Sequence, residues 1–328
     1  MSSSTCSSMD RISDFGSEDE GSSPSGCTLN KCLLKKRCSL HHKIAYPMAN
    51  SFWIILASFL AATNAGLLGN FLILRKQAMI GDAISHAVLP GLALAFMVSN
   101  TTHPVVFFIG AALAGMGATL LISFFEHKIG IEADVAIGVT FTAFFALGVL
   151  LVTLFTQKAD LDQQCVLYGE PMLVPFDIWF YGDYRMGPQA IYVLGLLLLC
   201  NLLFIVICYR PLVVTSFDPN FATVLGINKG YWHYLLMLFT ALTTVAAFKV
   251  VGAVLVMALL VIPSATAYLL SGQLKTMIFY TVVIDIWITI LGFHTATWLN
   301  ASIAGAIVSV GALFFMIALG MHIITQRR

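Results

Sequence analysis

Charge is what this sequence has least of. Only 10% of its 328 residues are Asp, Glu, Lys or Arg, against about 25% in an ordinary soluble domain. That shortage, with 59% hydrophobic residues, excludes a soluble globular protein. Many apolar runs are long enough to cross a hydrocarbon core about 30 Å thick. Alternation is also missing. Residues 190–209 show no in/out dyad, which excludes a transmembrane barrel and leaves helices to pair the backbone in lipid. No disulfide framework is present. The seven cysteines are an odd number, Cys200 and Cys208 fall in an apolar run as packing residues, and Cys165 stands alone in a loop. The sequence has no G-x-x-x-x-G-K-[ST] phosphate loop and no H-E-x-x-H pair. Nothing therefore points to ATP hydrolysis by this chain or to an intramembrane metalloenzyme. A net charge of +1 selects no class of partner and gives no reason to expect nucleic acid.

What the sequence does contain is an all-α, polytopic pattern of eight or nine membrane spans. Their approximate limits are 51–74, 83–98, 104–125, 135–155, 190–209, 234–248, 250–270, 277–293 and 303–323. The sixth and seventh are separated only by Lys249, so one of them could be a broken helix. Residues 1–47 differ from the rest. They are Ser-rich with mixed charge, and composition predicts a disordered extension. A start at Met48 would leave them untranslated, and Cys27, Cys32 and Cys38 with His41 and His42 fit no standard zinc spacing. A signal peptide with the basic run before Phe52 as its n-region and Thr63-Asn64-Ala65 as its cleavage site conflicts with the apolar run continuing to Leu74.

Basic residues follow alternate spans: Arg75 and Lys76, His127 and Lys128, Arg210 and Lys229, Lys275, then Arg327 and Arg328. The positive-inside rule places these loops in the cytoplasm, the N-terminus outside and the C-terminus inside. Lys249 and the basic run 31–43 run against that orientation. The net acidic loop 157–188, with Tyr168, Trp179, Phe180, Tyr181 and Tyr184, then lies outside, at the interface or as a docking surface.

The chemistry concentrates in Gly81-Asp82-Ala83-Ile84-Ser85-His86-Ala87-Val88-Leu89-Pro90-Gly91. Asp82 and His86 are four residues apart and share a helix face. Both are ligands for divalent metals. A carboxylate in a bilayer helix costs about 2.5–3.5 kcal/mol on insertion scales, so it faces protein or a water-filled path. The alternative is a buried pair that only fixes helix packing. Asp285 lies in another apolar span and His294 follows nine residues later, read as close to the same face. Either could extend an ion path, or Asp285 could pair with a nearby Ser, Thr or Lys249. His103 and His233 read as ordinary interfacial residues. Pro90 with Gly91, and Pro263 with Gly252, are hinge candidates or static kinks. In the connection 210–230, Asp218 suits an N-cap, Pro219 the first helical position and Gly226 the C-terminal cap. That predicts a two-turn helix over 219–225, either a mechanical contact or a plain surface connection.

Three stretches together resemble the permease of the ABC-type manganese, zinc and iron uptake systems (ABC-3 family). They are Leu74-Arg75 with the Asp82 motif, residues 216–226, and residues 251–267. The likeness runs from Met48 to the C-terminus. It implies Asp82 and His86 on the metal path, and an ATPase contact formed by Asp218, Pro219, Phe221, Ala222, Leu225 and Gly226. It further implies two cytoplasmic ATP-binding cassette subunits, a second permease subunit, an external or periplasmic metal-binding protein and a place in the inner membrane. The metal is then transported substrate, with no permanent cofactor. Members often carry a Ser-Tyr-x-Leu-Asp-like stretch after the penultimate span. Here the place is taken by Ala296-Thr297-Trp298-Leu299-Asn300, so metal identity does not follow. The competing class is a gradient-driven secondary transporter or channel, with Asp82 and Asp285 as proton or sodium sites.

Overall fold

The computed structural model describes residues 48–99, 104–155, 171–176, 178–181 and 184–326. The expectations for 1–47, His103, Cys165 and Tyr168 fall outside them. Among the described residues, nine helices are long and apolar enough to span a membrane. They are α1 (Met48–Leu74), α2 (Ile80–Ser99), α3 (Pro104–Phe124), α4 (Ala133–Phe155), α5 (Gln189–Ile207), α8 (Lys229–Val251), α9 (Ala253–Leu270), α10 (Leu274–Leu299) and α11 (Ile303–Gln326). Two short helices, α6 (Tyr209–Phe217) and α7 (Pro219–Val224), lie between α5 and α8. A small antiparallel hairpin, β1 (Ile178–Tyr181) with β2 (Tyr184–Pro188), precedes α5.

Helix ends differ from the apolar runs where polar caps extend them. The α8 helix begins five residues before the expected 234, because the Asn228 side chain accepts from the Gly230 and Tyr231 amides. The α10 helix ends at Asn300, which adopts a left-handed conformation while its amide bonds to the Ala296 carbonyl. The break between the sixth and seventh spans falls at Gly252, not at Lys249. Gly252 has φ 85° and ψ 160°, a conformation that suits glycine. Lys249 instead sits exposed in the last turn of α8, where its charge complements the helix dipole.

The α1 helix packs against α5, α8, α9 and α10, while α2 lies against α3 and α4. Small residues set the closest approaches. A Cβ on Gly69 of α1 would stand 2.0 Å from the Leu260 carbonyl oxygen of α9, and one on Gly91 of α2 would stand 2.4 Å from the Gly110 carbonyl oxygen of α3. Such contacts give tight packing where lipid offers no hydrophobic drive. Buried amides add a second fastening. Asn64 Nδ2 donates to the Leu194 carbonyl at 3.0 Å, and Asn201 Nδ2 donates to Asn64 Oδ1 and Thr243 Oγ1, both at 2.9 Å. These bonds join α1, α5 and α8. Of the two cysteines read as packing residues, Cys208 packs on the core, whereas Cys200 is exposed.

Candidate functional site

From Ile80 to Gly91 every residue of α2 is buried except Asp82 and His86. Their side chains are 35% and 32% exposed. The sequence produces this directly. The flanking Ala, Ile, Val and Leu residues turn inward, while positions four apart form a narrow polar strip. Asp82 also lies in the first turn of α2, where the positive end of the helix dipole favours a carboxylate. Both side chains are thus partly exposed rather than fully buried.

His86 Nε2 lies 3.4 Å from Asp82 Oδ1. Two ligands about 2.1 Å from one ion at the tetrahedral angle stand about this far apart. The imidazole is held edge-on by two aromatic rings of α4, with centroids 4.5 Å away for Phe141 and 5.5 Å for Phe145. Its Nδ1 is buried without a partner. Ser85 supports the turn, donating to the Asp82 carbonyl at 2.5 Å and to Met257 Sδ at 3.2 Å. Among the described residues no group of three or more His, Cys, Asp or Glu forms a metal-binding cluster. The chain thus brings two candidate ligands, Asp82 and His86, to this face.

Asp285 and His294 do not join them. Nine residues at 100° per residue is two and a half turns, so these two occupy opposite faces of α10. Asp285 is fully buried and His294 is exposed. Both Asp285 carboxyl oxygens lack a hydrogen-bond partner, so neither Lys249 nor a hydroxyl pairs with it. Gly66 makes room for it, since a Cβ there would stand 2.8 Å from Asp285 Oδ2. Of the hinge candidates, Gly252 is a true break. Pro90 and Pro263 lie inside continuous helices. Pro90 is wedged against Gly148 of α4, where a Cβ would be 2.8 Å from the proline Cδ.

In the connection after α5, the chain turns at Cys208 into α6, which sequence reasoning missed. Pro211 sits in the first turn of α6, where a proline needs no backbone donor. Asp218 then caps α7, its Oδ1 accepting from the amides of Asn220 at 3.0 Å and Phe221 at 2.9 Å. At the other end Gly226 has φ 74°. Its amide bonds to the Thr223 carbonyl, and that of Ile227 to the Ala222 carbonyl, closing a Schellman motif. The helix is one residue shorter than expected. Ala222 faces inward, and Phe221, Val224 and Leu225 are exposed, continuous with Phe217. His233 is another correction. It is buried and hydrogen-bonded to Arg75 and Ser123, not an ordinary interfacial residue.

Set beside known proteins, residues 48–322 match the model of the ABC 3 transport family. The chain belongs to the ABC 3 transport family. It is 40% identical over 263 residues to the manganese transport system membrane protein MntD of Bacillus subtilis, covering 80% of this chain and 89% of that one. It is 34% identical over 262 residues to the zinc transport system membrane protein TroD of Treponema pallidum, covering 80% and 71%. A solved structure, PsaBC from Streptococcus pneumoniae in complex with Fab, superposes with a TM-score of 0.66 at 32% identity, covering 87% of this chain and 95% of that one. This ABC 3 member is a multi-pass membrane permease, and its relatives carry the names of transport proteins.

Proposed function

We propose that this permease passes a divalent metal cation, manganese, zinc or iron, across the inner membrane into the cytoplasm, through the open strip of Asp82 and His86. The observation that carries the reading is the exposure of these two ligands alone on an otherwise buried stretch of α2. A carboxylate with an imidazole suits all three metals. Two ligands hold an ion weakly, as a path requires, because the ion must also leave. A second permease subunit bringing a like pair to the same pore would complete four ligands at the midline.

The exposed apolar residues Phe221, Val224 and Leu225 on the doubly capped α7 suit a contact with a separate ATP-hydrolysing subunit. That contact fits the cytoplasmic side, with the N-terminus outside and the C-terminus inside. An external metal-binding protein would deliver the ion. ATP-driven movement, received at α7, would open the path alternately to either side.

The test is uptake of radioactive manganese, zinc and iron by vesicles holding the permease, its ATPase and its carrier. ATP-dependent accumulation of one metal is expected. Accumulation that ignores ATP would favour a gradient-driven transporter, and no accumulation of any of the three would contradict the reading.

A further inference from the structure

Arg75 is the first residue after α1, and its guanidinium is not a loop charge in water. Nε donates to Ser216 Oγ at 3.0 Å, Nη2 to Thr215 Oγ1 at 3.0 Å, and Nη1 to His233 Nδ1 at 3.3 Å. Arginine has only donors, so His233 Nδ1 must accept. The imidazole proton then sits on Nε2, which donates to Ser123 Oγ at 3.0 Å. Four elements meet through one cation: α1, α6, α8 and α3.

No carboxylate pairs with Arg75 among the described residues, where the one ion pair is Asp82 with His86. Helix ends meet its charge instead. Arg75 directly follows the C-terminus of α1, and Thr215 and Ser216 lie in the last turn of α6. Each such end carries roughly half a negative charge. Burial lowers the Arg75 pKa to about 10, which leaves it charged at neutral pH.

The network has two outlets. On one side α6 runs through the single residue Asp218 into α7. On the other, Ser123 belongs to α3, which packs along α2. Gly115 of α3 lies against Ile84, where a Cβ would be 3.2 Å from the Ile84 Cγ2, and Ile84 stands between Asp82 and His86. The α6 turn has a bond of its own beside the cation. Thr215 Oγ1 also donates to the Pro211 carbonyl at 2.8 Å, so α6 keeps its own turn. Gln77 Nε2 donates separately to Glu126 Oε2 at 3.0 Å, which ties the α1–α2 connection to the end of α3.

We propose that Arg75 is the positioning residue that carries displacement of α7 to the Asp82–His86 helix, by clamping the end of α6 to α8 and α3. The inference rests on the reading that an ATPase engages α7. A guanidinium suits the task because its planar fork reaches three acceptors at once, which an ammonium on a flexible stem does not.

The test uses the full-length chain in vesicles, assembled with its ATPase, partner permease and carrier, and reads ATP hydrolysed and manganese accumulated per ATP. Arg75→Ala is expected to lower manganese per ATP about tenfold, while the ATPase subunit stays bound and hydrolysis continues. Arg75→Lys should restore part of the ratio. Ser216→Ala, which deletes one contact, should give a smaller loss, and the double variant should be no worse than Arg75→Ala alone. Ser216→Ala carries the test if Arg75→Ala fails to reach the membrane. An unchanged ratio, strictly additive losses, or uptake and hydrolysis falling together with the amount of assembled complex would each overturn the inference. Wild type that accumulates no manganese, zinc or iron with ATP would overturn the transport reading, and this inference with it.

Discussion

Asp82 and Asp285 are both carboxylates within helices of the bundle, yet the fold treats them in opposite ways. Asp82 stands on an open strip with His86 3.4 Å away. Asp285 is sealed between α1 and α10, beside Gly66 and Thr281, with no partner for either oxygen. On the function proposed above, the ion path is marked where an acid, a second ligand and an open face coincide. Asp285 has the first of these only.

Variants can break or sharpen that contrast, and the largest effect should come from the open strip. Asp82→Ala removes a proposed metal ligand and should lower metal uptake by at least about 100-fold, with the thermal midpoint of the purified protein unchanged. On the sealed side, Gly66→Ala forces a methyl to within 2.8 Å of Asp285 Oδ2 and 2.7 Å of Thr281 Cγ2. It should cost about 1–3 kcal/mol of stability, read as a lower thermal midpoint, and adding Asp285→Ala should recover part of the loss. Asp218→Ala removes both capping bonds of α7, worth about 1 kcal/mol. It should weaken co-purification of the ATPase while leaving the bundle folded. The smallest effect is expected of Asp285→Asn. An amide keeps the shape of the side chain at a site with no open face, so uptake should stay near wild type.

Much of this was legible in the sequence. Nine apolar runs located the nine spanning helices among the described residues to within six residues at each end, because in lipid the backbone has little choice but to be helical. The caps of α7 were readable from Asp218, Pro219 and Gly226, since each residue type answers a local backbone need. The strip of Asp82 and His86 followed from a spacing of four. What could not be read was anything set by contacts between distant segments. Whether Asp285 meets a pore or a neighbouring helix depends on Gly66, some 200 residues earlier in the chain. Its supposed kinship with His294 fails on arithmetic available from the start, because nine residues reverse the face. The hub at Arg75 looked like a cytoplasmic loop charge, and His233 like an interfacial ring. Only the packing of α6 against the end of α1 brings them together. The one sequence signal was an arginine at the close of a span, with hydroxyl-bearing Thr215-Ser216 ahead of a helix cap.

The contrast between the two carboxylates is tested most directly by ATP-dependent uptake of radioactive manganese, zinc and iron, measured side by side for wild type, Asp82→Asn and Asp285→Asn at equal amounts of assembled complex. The account predicts that uptake is lost with Asp82→Asn and kept with Asp285→Asn. Uptake that survives Asp82→Asn but disappears with Asp285→Asn would contradict it, and would move the ion path from the open face of α2 to the buried seam between α1 and α10.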